Sequence, residues 1–319
     1  MKEMNTDINH LCLSVFICGK KTVMQTAIEK NESAAGASTT VLVIALLAID
    51  GLHYVFARAL HDYLPPITAA MFVLLVATVE VGAYAIATKQ FHIDTFRRHA
   101  PFFLGIAALI AFSTSINYTA VGFIDPGTAA LLSQMSVLFG LGFGLLWLKE
   151  RLTKPQLAGA ALCVAGVAII TFQPGDYFRT GAVMLLFGSF AYALHAAIVK
   201  RNGGGIPFIE FFFWRLACTA GFLFLASTFG GTLAWPSPPA WLILLLAGTV
   251  DVVISRSLYY LSMRRLKISV LTLVLTLSPA VTALWSFILF SVRPSLQQVI
   301  GGAAVMAGVL IVTSQRRRA

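Results

Sequence analysis
The chain has 319 residues, 58% of them apolar and only 11% charged, with a mean hydropathy of +0.83. That is about half the charge of a soluble domain, too little to cover a water-facing surface, so the composition excludes a soluble globular protein and predicts an integral membrane one. A net charge of +10 would suggest nucleic acid in a soluble protein, but the Lys and Arg gather in alternate short breaks between apolar runs, which is the pattern that orients membrane proteins; nucleic acid is excluded as a partner.

Residues 1–38 are polar and mixed, and their apolar piece Leu11–Cys18 is too short to span and ends in Lys20-Lys21 rather than a cleavage site. They read as a cytoplasmic tail without fixed structure, and Met24 offers a second start. Ten spans follow: 40–60, 66–87, 101–123, 126–148, 155–173, 180–200, 206–229, 239–263, 268–290 and 296–314. Pro and Gly mark the breaks, at Pro65-Pro66, Asp125-Pro126, Pro155, Pro174-Gly175, 203–205 and Pro236–Pro239. The basic breaks hold Lys89, Arg97, Arg98, Lys149, Arg151, Lys154, Lys200, Arg201, Arg264, Arg265, Lys267 and Arg316–Arg318. The intervening loops hold only Arg179 and Arg293, so both termini are expected in the cytoplasm of an inner (plasma) membrane protein, with Trp235 and Trp241 in an outer aromatic belt.

Sliding the sequence by 142 positions sets residues 117–173 on 259–315 without a gap, for example Tyr118 on Tyr260 (260 − 118 = 142). Arg151, Gln156 and Gly159 fall on Arg293, Gln298 and Gly301, and Ala165–Val167 on Ala307–Val309. This is an internal repeat. The predicted fold is therefore all-α and membrane-embedded, with ten transmembrane helices as two five-helix repeats, 39–174 and 175–319. An odd number of spans per copy inverts the second, and inverted repeats in transporters place the substrate where the halves meet.

The segments Gly127–Leu132, Leu148–Thr153 with Gln156 and Gly159, and Ala165–Val167 resemble the signature of the EamA domain of the drug/metabolite transporter superfamily. The resemblance covers roughly 40–314 and implies ten helices in two inverted repeats that move small metabolites, often exporting amino acids or related compounds. Phe213-Trp214-Arg215 is similar to the family's aromatic-Arg pattern, and Pro279 keeps a family proline. The halves are chemically unequal: Arg215 aligns with Val73, Pro279 with Val137, and Val292 with Glu150.

Charged groups inside spans cost about 2.5–3.5 kcal/mol each on insertion scales, so each needs a partner, a cavity or neutralisation. In the first span Asp50, His53, Tyr54 and Arg58 fall on one helical stripe, and Asp50 with His53 is expected to line a cavity or tie the span to its neighbours. His195, with Tyr192 one turn before it, is the repeat mate of His53. On the eighth span Asp251, Ser255 and Tyr259 form one stripe and Arg256 with Tyr260 the next. Arg215 needs a counter-charge from Glu210, Glu80, Asp251 or a substrate carboxylate. Asn117, Tyr118 and Gln134 supply hydrogen bonds, Gln134 foremost as interhelical glue, while Gly140 with Gly144, Gly159 with Gly166 and Gly301 with Gly308 read as close-packing surfaces.

No P-loop, His-Glu-x-x-His or Gly-x-Ser-x-Gly pattern is present, and the loops are too short for a catalytic domain, so neither an enzyme nor a cofactor is expected. The leading reading is a secondary transporter, in the direction of efflux, for small polar or amphipathic metabolites such as amino acids. Asp50 is the expected proton carrier, with His53 as relay and Asp251 as the alternative; a homodimer stays open. The competing readings are a membrane-embedded enzyme using Asp50, His53 and Asp251, and a structural or receptor protein.

Overall fold
A computed structural model of the protein describes residues 41–42, 44–147, 153–172, 180–203, 205–265 and 275–314. Eight helices are long and apolar enough to cross a membrane: Ile44–His61, Pro66–Ala87, Ile93–Ala120, Pro126–Leu146, Lys154–Thr171, Thr180–Asn202, Phe208–Phe229 and Pro238–Tyr259. Two shorter apolar helices follow, Ser278–Phe290 and Leu296–Val312. They occupy the places of the expected ninth and tenth spans, and residues 268–274 of the ninth lie outside the described residues.

We label the regular pieces α1 His53–His61, α2 Pro66–Ala87, α3 Ile93–Ala120, α4 Pro126–Ser133, α5 Met135–Leu146, α6 Lys154–Thr171, α7 Thr180–Asn202, α8 Phe208–Phe229, α9 Pro238–Leu246, α10 Ser255–Arg265, α11 Ser278–Phe290 and α12 Leu296–Ser314. Proline opens several of them. Pro66, Pro126, Pro238 and Pro279 sit in the first turn, where an amide would lack a partner in any case. The helices starting at Lys154 and Leu296 share a start device: Gln156 accepts from the Thr153 amide at 2.9 Å, and Gln298 accepts from the Ser295 amide at 2.6 Å. Thr153 and Ser295 are repeat mates (295 − 153 = 142), so the duplication extends to the caps.

Four of the expected spans are not uniform helices: the fourth breaks at Gln134 between α4 and α5, the ninth turns at Thr276-Leu277 before α11, and two more bear on the site. The first turns at Gly51-Leu52, before α1. The eighth is a π-helix over Ala247–Ile254 between α9 and α10. A π segment loosens the turn and often accompanies a functional site. Here it carries Asp251.

The closest helix contact joins α6 to α12 through glycine. A Cβ on Gly308 would stand 2.6 Å from the Gly159 carbonyl oxygen, and one on Gly166 would stand 2.7 Å from that of Gly301. The backbones therefore touch, which only small residues permit. α2 packs on α8, α4 on α11 and α3 on α7, with the buried core spread along these contacts around Phe72, Phe103, Tyr118, Leu132 and Leu223.

Candidate functional site
A cluster of ionisable side chains gathers where the first, third, sixth, seventh and eighth spans approach. At its heart His53 Nδ1 lies 2.8 Å from Asp251 Oδ2, and Asp251 is 4% exposed. Tyr54 and Tyr118 set their rings edge-on to the imidazole at centroid distances of 5.1 and 6.0 Å. Both tyrosines are buried, so aromatic walls hold the ring in place.

Asp50 turns elsewhere. The Ser278 hydroxyl donates to its Oδ2 at 2.9 Å, and the Trp285 indole donates to the Ala48 carbonyl at 3.1 Å, which fastens the first span to α11. Asp50 thus hydrogen-bonds Ser278 and not His53, although its charge still acts on the imidazole, and the turn at Gly51-Leu52 falls between the two. Glu80 accepts from Thr249 Oγ1 at 2.6 Å, tying α2 to the π segment. Arg58 donates to the Val121 carbonyl at 3.0 Å, the part of an end residue.

The cations behave differently. Glu210, proposed from the sequence as a partner for Arg215, instead takes His92 Nδ1 at 2.9 Å and the Thr95 hydroxyl. The buried Arg215 Nε has no hydrogen-bond partner among the described residues, and the guanidinium lies over the Phe212 ring at 5.3 Å. Arg256 faces the charges of Asp50 and Asp251 and the phenols of Tyr192 and Tyr259, and Arg215 faces Arg256. Among the described residues neither guanidinium comes within salt-bridge distance of a carboxylate.

His195 is 6% exposed, its ring 5.6 Å from that of Tyr192. Neither ring nitrogen makes a hydrogen bond of normal geometry to the described residues, although the Tyr192 carbonyl one turn back stands close. Ser255, 1% exposed, likewise leaves its hydroxyl unpartnered. Asn117 directs its side-chain oxygen at Gly188, where a Cβ would come to 3.0 Å. The Tyr260 side chain lies outside the described residues. Sequence reasoning missed Ser278, Thr249, His92 and Thr95, because their partners are 115 to 228 residues away and nothing local marks them. It also missed Asp125, which caps α4 through the Thr128 amide at 2.9 Å and accepts from Gln298 of α12 at 2.8 Å.

Residues 37–172 match the EamA-like transporter family, and residues 179–314 match it a second time. The chain belongs to that family. The two matches are offset by 142 residues (179 − 37 = 142), the shift at which the sequence repeats itself. A transporter of Bacillus subtilis named YdfC, itself uncharacterized, is 25% identical over 246 residues, covering 75% of this chain and 79% of the relative. A probable terminal-alkyne amino-acid exporter of Streptantibioticus cattleyicolor is 26% identical over 226 residues, covering 67% and 73%. A solved crystal structure, 19% identical, superposes with a TM-score of 0.63 over 88% of this chain and 99% of its own, a likeness of fold alone. Membership of the EamA-like family, together with the apolar helices, makes this a multi-pass membrane protein of transporter type.

Proposed function
We propose that the chain is a secondary transporter that moves a small amphipathic metabolite, an amino acid or derivative, across the inner membrane by alternating access. The observation that carries this reading is the charged cluster itself: two arginines, two aspartates and two histidines held together within apolar spans, with several donors unpartnered. A structural network would satisfy its members. A cavity that receives a polar ligand leaves donors open until the ligand arrives. The amino-acid exporter among the relatives agrees with the substrate class and with export.

Alternating access needs two halves that rock, and the proposed halves are 39–174 and 175–319, the second inverted. In favour of inversion, Gly159 meets Gly308 while Gly166 meets Gly301, and the 142-residue shift turns the first pairing into the second. Such reciprocal contact is the mark of a two-fold axis, and since one number rises as the other falls, the axis runs across the helices. In the same scheme a proton loads on Asp251, whose partner His53 can exchange it, rather than on Asp50, whose partner Ser278 is a hydroxyl that does not titrate.

Comparing the metabolites of cells with and without the gene tests the reading. An amino acid or derivative should build up inside deleted cells and leave again on re-expression, unchanged in structure. A chemically altered compound in detergent-solubilised protein would point to the enzyme, and no difference across a broad panel would remove transport.

A further inference from the structure
We propose that Arg215 and Arg256, with the orphaned donors of His195 and Ser255, form the subsite for the carboxylate of the transported metabolite; this rests on the transport reading above and names the end of the substrate that is gripped. The argument begins by elimination. Among the described residues no acid the sequence offered to Arg215 comes within salt-bridge distance of it: Glu210 meets His92 and Thr95, Glu80 meets Thr249, and Asp251 meets His53. Asp50 gives an oxygen to Ser278. Arg215 and Arg256 repel one another, and while Asp50 and Asp251 act on Arg256, no carboxylate among the described residues acts on Arg215, whose charge is left for an anion to meet.

The surroundings are also arranged for an acceptor. Arg215 Nε and Ser255 Oγ are buried donors with no acceptor among the described residues, and the buried His195 ring, beside the Tyr192 carbonyl, has one N–H to add when neutral. A carboxylate has about four lone-pair directions and no hydrogen to offer, so it suits a ring of donors, whereas an amine does not. Planar guanidinium forks match it in shape.

Charge selects further. Arg215 and Arg256 against Asp50 and Asp251 make two cations and two anions, balanced when the histidines are neutral. A ligand with one charge of each sign keeps that balance; a doubly charged phosphate does not. The ammonium of such a zwitterion faces Asp50, and its apolar part meets the rings of the exposed Tyr192 and the half-buried Tyr259, both of which act on Arg256.

The experiment uses the full-length protein in detergent and reads ligand-dependent melting, since a ligand that binds only the folded state raises its stability. The probes are L-leucine and L-phenylalanine, their amides, 3-phenylpropionate and phenyl phosphate, each to about 10 mM, an order of magnitude above the upper end of ordinary substrate affinities. At least one free carboxylate should raise the melting temperature and its amide should not. Arg215→Gln and Arg256→Gln should each weaken that binding about tenfold or more, Arg215→Lys should keep part of it, and Arg97→Gln, on an exposed surface arginine, should change nothing.

The subsite is overturned if no carboxylate binds, if an amide binds as tightly as its acid, if phenyl phosphate alone binds, or if both Gln variants melt as the wild type does and keep its affinity. Should a Gln variant fail to fold, acid-versus-amide discrimination by the wild type decides alone. Transport in proteoliposomes separates this from the parent reading. Arginine-dependent carboxylate binding without movement removes transport and leaves the subsite, whereas transport indifferent to amide replacement removes the subsite and leaves transport.

Discussion

A carboxylate held by an imidazole within a membrane helix is a two-position device: with the proton on the ring the pair is ionic, and with the proton on the acid it is neutral. Asp251 and His53 have that arrangement at 2.8 Å, and Asp251 is walled from water. Asp50 keeps a hydroxyl partner, and an amide oxygen would accept from Ser278 equally well. Hence Asp251→Asn should abolish accumulation driven by a pH gradient in proteoliposomes while substrate exchange at equal pH survives, and Asp50→Asn, which removes the carboxylate proposed to meet the ammonium, should weaken substrate affinity yet keep pH-driven accumulation at saturating substrate. One pH unit supplies about 1.4 kcal/mol per proton, a roughly tenfold ceiling on accumulation, so the expected change is from that ceiling to no accumulation. If Asp50→Asn is the variant that loses accumulation, the proton travels through the first span and not the eighth.

At the scale of the helices, repetition carried the legible part and long-range pairing the rest. The glycines of α6 and α12 stand out in sequence because they recur at the same shift, and the structure uses them where the backbones meet. What sequence could not supply was the pairing, since partners such as His53 with Asp251 lie 198 residues apart in chains of near-uniform apolarity. Nor could it supply the turn at Gly51-Leu52 or the π segment at Ala247–Ile254, because helices that are apolar on every side show no periodicity to be broken. Both irregularities lie at the site: the turn falls between Asp50 and His53, and the π segment carries the aspartate that hydrogen-bonds the imidazole.

The same glycines give a measurable expectation. A Cβ on Gly308 would meet the Gly159 carbonyl oxygen at 2.6 Å and the Cys163 amide nitrogen at 2.7 Å, both backbone atoms that cannot swing aside. Gly308→Val should therefore part α6 from α12 and cost about 1–3 kcal/mol, read as a lower melting temperature in detergent. Gly142→Ala, where a Cβ has nothing within 4 Å, should stay within about 0.5 kcal/mol of the wild type. Equal melting of the two variants would mean that the seam is not close-packed.

For the molecule as a whole, orientation and inversion can be decided by one pair of positions. Lys154 and Leu296 are repeat mates (296 − 154 = 142), each at the first turn of its helix and each exposed, Leu296 to 76%. Basic residues concentrate near Lys154 and Lys200-Arg201, while Arg293 stands alone near Leu296, so the proposed topology puts Lys154 inside and Leu296 outside. In a chain cleared of Cys12, Cys18, Cys163 and Cys218, Leu296→Cys should react with an impermeant thiol reagent applied to whole cells, and Lys154→Cys only after the membrane is opened. Opposite labelling with the sides exchanged would keep the inversion and reverse the orientation. Labelling of both from the same side would mean that the copies run parallel, and a parallel pair would have no axis in the membrane plane about which one structure could open first to one side and then to the other.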